Sequence, residues 1–203
     1  MNYTQLVSEI EKELGRPEWT PKLPELIRRA EDLVWSIATG QWLEQSVSVS
    51  VAAGTATYTV EELALLLKPT RVLLDNETEL QLAPLRLKED ISSSYTASGT
   101  PEFCFLDTIN RQLSLAPTPD SDASLLLVGD FKDNYLDASS TDQNSRLLAT
   151  CPELLKLQVL LQIPDNRFQL WQKQYTDTLK SLRTIWVRQR KTGYVRTQPR
   201  RWL

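Results

Sequence analysis

The stretch Glu44-Gln-Ser-Val-Ser-Val-Ser-Val-Ala-Ala-Gly-Thr-Ala-Thr-Tyr-Thr-Val60 decides the fold class, because the apolar period of the chain changes there from helical to alternating. Val47, Val49 and Val51 alternate with Ser46, Ser48 and Ser50; beyond Ala52-Ala53-Gly54, Thr55, Thr57 and Thr59 alternate with Ala56, Tyr58 and Val60. A period of two sends successive side chains to opposite faces, so the stretch reads as two strands joined by a turn, a β-hairpin. Val72-Leu73-Leu74 and Leu80-Gln81-Leu82 flank Asp75-Asn76-Glu77-Thr78 as a second hairpin. Glu102 to Leu106 and Gln112 to Leu115 flank Asp107-Thr108-Ile109-Asn110 as a third, and Ser124 to Gly129 supplies one more strand. Pro84 to Ile91 suits one or two helical turns, and Ser92 to Thr100 is a polar loop.

On either side of this region the period is helical. Tyr3, Leu6, Val7, Ile10 and Leu14 recur at helical spacing, Asn2 with Gln5 forms a capping-box pair, and Gly15 follows the last apolar position. Leu26, Ile27, Ala30, Leu33, Val34 and Ile37 mark one face of a second helix ending at Gly40. After Cys151-Pro152, the residues Leu154, Leu155, Leu157, Leu160 and Leu161 predict a short helix buried on nearly all sides, ending near Pro164. Asp165 then reads as the cap of a long last helix with the face Phe168, Trp171, Tyr175, Leu179, Leu182 and Trp186. The expected fold is α+β: a helical bundle with an inserted small antiparallel β-domain and an extended C-terminal tail. Its expected parts are N-terminal helices over 1–43, the β-domain over 44–143, C-terminal helices over 144–187 and the tail over 188–203.

Charge is distributed unevenly. The last 26 of the 203 residues carry eight Lys or Arg and no acid, whereas the first 177 carry 15 basic and 26 acidic side chains. A body of net charge −11 thus bears a tail of +8, the pattern of a protein that docks onto an acidic surface or onto nucleic acid. Histidine is absent, which removes Ser-His and Cys-His nucleophile arrangements and argues against an enzyme. Paired acids such as Glu61 with Glu62, or Asp130 with Asp133, lie on adjacent strand positions or in turn-like sequence and are not expected to converge. Cys104 and Cys151 form no Cys-x-x-Cys pair and read as buried thiols; Asp120/Asp122 and Asp130/Asp133/Asp137 lack calcium-loop spacing. All six glycines are isolated, so no phosphate-cradling loop is present. No cofactor or metal is expected, and neither a secretion signal nor a membrane span is read.

Three stretches follow one another in a recognisable order. They are Ser98-Gly99-Thr100-Pro101-Glu102-Phe103, then Arg111-Gln-Leu-Ser-Leu-Ala-Pro117-Thr-Pro119-Asp120, then Asn144-Ser-Arg-Leu147-Leu148 with Pro152-Glu153-Leu154-Leu155. The series resembles the head-to-tail adaptor (connector) family of tailed bacteriophages. That resemblance implies a structural protein of the virion neck, assembled in the host cytoplasm as a ring, twelve-fold in expectation, that joins the capsid portal to the tail and lets DNA pass. The implied partners are the portal protein, a tail or nozzle protein and further copies of the chain, with DNA only as cargo. The acidic body suits such a channel, because each Lys or Arg contact to phosphate adds affinity and slows transit.

The candidate portal-binding residues are Arg188, Arg190, Lys191, Tyr194, Arg196, Arg200, Arg201, Trp202 and Leu203. Arg offers bidentate pairs to carboxylates, and Trp202 an aromatic anchor. The alternative is a DNA-binding protein using the same tail, with Tyr194 and Trp202 as stacking groups. Trp19, Trp42 and Leu63 to Leu67 are candidates for lateral contacts in a ring, or for core. Asn144, Leu147, Leu148 and Pro152 are read as the joint between β-domain and C-terminal helices.

Overall fold

A computed structural model describes residues 1–38, 41–95 and 97–196, with the side chains of Gln41 and of 188–196 outside the description. The chain divides into two compact units, one formed by Met1–Leu43 with the chain from Asp133 onward, the other by Glu44–Lys132.

The first unit is helical. Asn2 and Gln5 close a reciprocal capping box at the start of α1 (Tyr3–Leu14), and Gly15 ends it at φ 62°, a left-handed position glycine takes without a Cβ penalty. The helix buries Leu6, Ile10 and Leu14. α2 (Leu23–Ile37) buries Leu23, Ile27, Ala30 and Val34 along one stripe, with Glu31 and Trp35 also out of solvent. Gly40, the expected stop, lies outside the described residues. Ser145 accepts the Leu148 N–H and starts α4 (Arg146–Thr150), whose Leu147 and Leu148 are buried. α5 (Pro152–Leu160) buries Leu154, Leu155, Leu157, Val159 and Leu160 in the helical core and leaves only Glu153, Lys156 and Gln158 as polar positions after Pro152, with Lys156 paired to Glu153 and Glu9. α6 (Phe168–Arg196) turns Trp171 and Trp186 into that core, with Tyr175, Leu179 and Leu182 partly buried beside them. Phe168, expected on the same face, remains 41% exposed.

The second unit holds β1 (Glu44–Val51), β2 (Thr57–Thr59), β3 (Leu66–Leu74), β4 (Thr78–Leu82), α3 (Lys88–Ser93), β5 (Phe103–Asp107), β6 (Gln112–Ala116) and β7 (Ala123–Phe131). Its strands form one sheet in the order β1-β7-β3-β4-β5-β6-β2. The β3–β4 hairpin turns on Asp75 and Asn76, both at positive φ, with the Glu77 N–H bonded to the Leu74 carbonyl. The β5–β6 hairpin pairs Phe103 with Ala116 through to Asp107 with Gln112. Val72, Leu74, Leu80, Leu113, Leu125 and Leu127 are among the residues of a separate core.

Three expectations are corrected here. The β-region is not a small antiparallel insert in a bundle but a seven-stranded mixed, curled sheet, a half-barrel with its own core. β4 and β5 run parallel, which the 20-residue connection through α3 permits because a crossover of that length can return the chain in the same direction. The stretch 44–60 is not a hairpin: β1 pairs with β7 and β2 with β6, at opposite edges of the sheet. The turn between them ties to another loop instead, Gly54 N–H to the Pro119 carbonyl and Ala53 N–H to Asp122. The C-terminal segment is also not extended from residue 188, since the backbone continues as α6 to Arg196.

Candidate functional site

α6 is fixed at two points before it reaches the basic residues. The first is at its start. Arg167 donates from Nε to Asp165 Oδ1 at 2.9 Å and from Nη2 to Asp165 Oδ2 at 3.0 Å, a planar fork-to-fork pair. The same guanidinium donates to the carbonyls of Glu13 and Leu14, groups that the C-terminus of α1 leaves without helical partners. Asp165 Oδ1 also accepts the Arg167 backbone N–H, as its cap role predicts, and Arg16 approaches the carboxylate at 3.5 Å. The Arg167 side chain and then its backbone N–H hold the Asp165 carboxyl well below the usual carboxylate range. Arg167 also lies 4.9 Å from the centre of the Trp171 ring, one turn into the helix.

The second point lies two residues before Arg188, the first basic position without a described side chain. Trp186 is wholly buried and its ring centre is 5.9 Å from that of Trp42, which in turn is 5.5 Å from Trp35. Among the described residues the Trp186 indole N–H has no acceptor. Arg146 sits 5.9 Å from the Trp35 ring and donates to the Trp42 and Leu43 carbonyls at 3.2 and 3.1 Å. It also binds Asp133 through Nε at 2.8 Å, while the Arg146 backbone N–H donates to the other Asp133 oxygen at 2.7 Å. One guanidinium therefore holds together the segment leaving the helical unit at Leu43 and the segment returning at Asp133.

The returning segment is pinned along its length. The Leu136 N–H donates to the buried Glu31 carboxylate, Tyr135 Oη donates to Asp32, and Arg28 stacks 4.3 Å from the Tyr135 ring centre. Further on, the Tyr3 N–H reaches the Ser140 carbonyl and the terminal ammonium pairs with Asp142 at 2.7 Å. Asn144 Oδ1 accepts the Thr141 N–H, and Leu147 and Leu148 anchor the segment in the core.

Of the portal-binding candidates, Arg188, Arg190, Lys191, Tyr194 and Arg196 belong to the helical backbone of α6, their side chains lying outside the description. Arg200, Arg201, Trp202 and Leu203 lie outside the described residues. The exposed Lys180 and Arg183 precede them on the helix. The lateral-contact candidates separate: Leu63 is core, Trp42 stacks in the tryptophan cluster, Trp19 packs on the helical core, and Leu67 stays 41% exposed. The role of Arg146 and Asp133 was not read from the sequence. Its signal is an Arg one residue past a Ser cap, at the entrance of a helix that follows a long connection.

The acidic turns are engaged locally. Asp137 accepts from Ser139 and Ser140, and Asp122 from the Ala53 N–H. Among the described residues no group of three His, Cys, Asp or Glu is disposed to hold a metal, and no helix is long and apolar enough to cross a membrane.

The family model of the SU10 adaptor protein matches residues 1–201, and the chain belongs to that family. Membership implies a structural role in the neck of a phage virion, among portal and tail components. No curated protein sequence matches the chain.

Proposed function

We propose that the protein assembles as a ring, twelve-fold by family resemblance, that docks to the capsid portal through its basic C-terminal segment, joins the tail or nozzle protein on the other side, and lets DNA pass through its channel. The observation that carries this reading is the anchoring of α6. Among the described side chains its last core contact is the buried Trp186, the backbone stays helical to Arg196, and all side-chain charges beyond Asp177 are positive. Anchoring costs the segment conformational freedom before it meets a partner, so less is lost on docking. An acidic portal surface would pair with the Arg side chains, and Trp202 would fill an apolar pocket. The acidic remainder of the chain supports a channel that does not retain DNA.

Charge and anchor separate experimentally. R196Q/R200Q/R201Q should weaken binding to portal-containing capsids in a salt-sensitive way, whereas Trp202→Ala should weaken it with little dependence on salt. Binding unaffected by both, together with salt-dependent retention of short duplex DNA by the purified protein, would overturn portal docking in favour of DNA binding.

A further inference from the structure

We propose that the free edge of β1 pairs antiparallel with β1 of a second copy of this chain, giving a two-fold dimer of the unassembled protein. The contact is isologous and needs no portal, so it stands apart from the ring reading.

Among the described residues β1 has a strand on one side only. Its pairing to β7 runs without a bulge through eight residues, from Glu44 opposite Asp130 to Val51 opposite Ala123. The outward row of N–H and C=O groups is therefore equally regular, a ready template for another strand. Natural edges are blunted by shortness, Pro, Lys or bulges. The opposite edge, β2, is three residues long. β1 has no such device: it contains no Pro, Gly, Lys or Arg, and its single charge is Glu44 at the first position.

The pattern of the strand selects its partner. Ser46, Ser48 and Ser50 are exposed, while Val47, Val49 and Val51 turn inward. Antiparallel pairing centred on Ser48 sets Ser48 opposite Ser48 of the copy, Ser46 opposite Ser50, and Val47 opposite Val49. Hydroxyls then face hydroxyls, Val47 faces Val49, the uncharged Gln45 faces Val51, and Glu44 falls opposite Ala52, so no like charges meet. A slip of one residue would set Ser against Val and mismatch the faces throughout. An arbitrary peptide lacks this parity, whereas a second copy has it by symmetry. Because the two edges consume each other, the contact also closes off open-ended strand addition.

The test is sedimentation equilibrium of the full chain from about 1 to 100 µM, the range in which a weak self-association is read. The wild type should show a monomer–dimer equilibrium. S46K/S48K/S50K places like charges at three opposed positions and should weaken the dimer at least about tenfold, as should S46E/S48E/S50E. An equimolar mixture of the two should restore a dimer, which a merely misfolded variant would not do. Independently of any variant, amide exchange of β1 in the wild type should slow as concentration rises. A wild type that is monomeric throughout, a dimer indifferent to the lysines, a mixture that stays monomeric, or β1 exchange independent of concentration would each overturn the proposal.

Discussion

Arg146→Ala tests the lock beneath the tryptophan cluster. The substitution removes one Nε bond to Asp133 and the Nη1 bonds to the Trp42 and Leu43 carbonyls, and takes the cation off the Trp35 ring. Breaking a buried ion pair costs roughly 3–5 kcal/mol because the other charge is left without compensation. Here the side chains retain 22% and 17% exposure, so water can reach part of the site, and Asp133 keeps the Arg146 backbone N–H. The expected loss is about 2–4 kcal/mol, which for a chain of this size lowers the melting temperature by roughly 5–15 °C. Arg146→Lys keeps the charge but loses the fork, and should fall between. Differential scanning calorimetry of wild type, R146A, D133N and the double variant measures both the loss and the coupling. A melting temperature within about 1 °C of wild type for R146A, or full additivity of the pair, would refute the reasoning.

Three further outcomes follow from the geometry. Trp186→Ala should cost about 3–5 kcal/mol, since a fully buried ring is lost, whereas Trp186→Phe should cost far less because the indole N–H it removes has no acceptor among the described residues; chemical denaturation distinguishes them. Asp165 has a depressed folded pKa, so its contribution is present above the unfolded carboxylate value of roughly 4 and is lost as pH falls through that range toward the folded value. The stability gap between wild type and Asp165→Asn should accordingly be flat from neutral pH down and shrink in acid, and a gap unchanged at low pH would contradict the pairing. Gly129→Ala places a Cβ 2.7 Å from the Lys68 carbonyl in the middle of the sheet and should destabilise by about 1–3 kcal/mol, read as a lower denaturation midpoint.

Local signals in the sequence gave local structure. The Asn2/Gln5 box, the Gly15 stop and the Leu-rich, mostly buried α5 are each set by residues within a turn or two of one another, and the structure places them as read. The Asp75-Asn76 turn likewise forces its two flanks together. The stretch 44–60 misled because a strand, a turn and a strand look the same locally whether the strands pair or part. What decides is long-range: Val47 lies opposite Leu127 and Tyr58 opposite Leu113. The parallel β4–β5 pairing is hidden for the same reason, since nothing near either strand specifies direction. Around α6 the face of Trp171, Tyr175, Leu179, Leu182 and Trp186 was legible from its period, but the helical course to Arg196 was not, because the segment beyond Arg190 lacks an apolar stripe. The Arg146 lock depends on carbonyls more than a hundred residues away in the chain, which no spacing rule reports.

The central claim is that the basic segment leaving the Trp186 anchor attaches the protein to the head of the phage. Its most direct test is co-sedimentation of the full chain, and of a chain ending at Arg190, with portal-containing capsids. The account predicts that the shortened chain keeps the far-ultraviolet spectrum and melting temperature of the body, since Trp186 and every described core contact remain, yet no longer sediments with the capsids. Undiminished attachment of the shortened chain would contradict it.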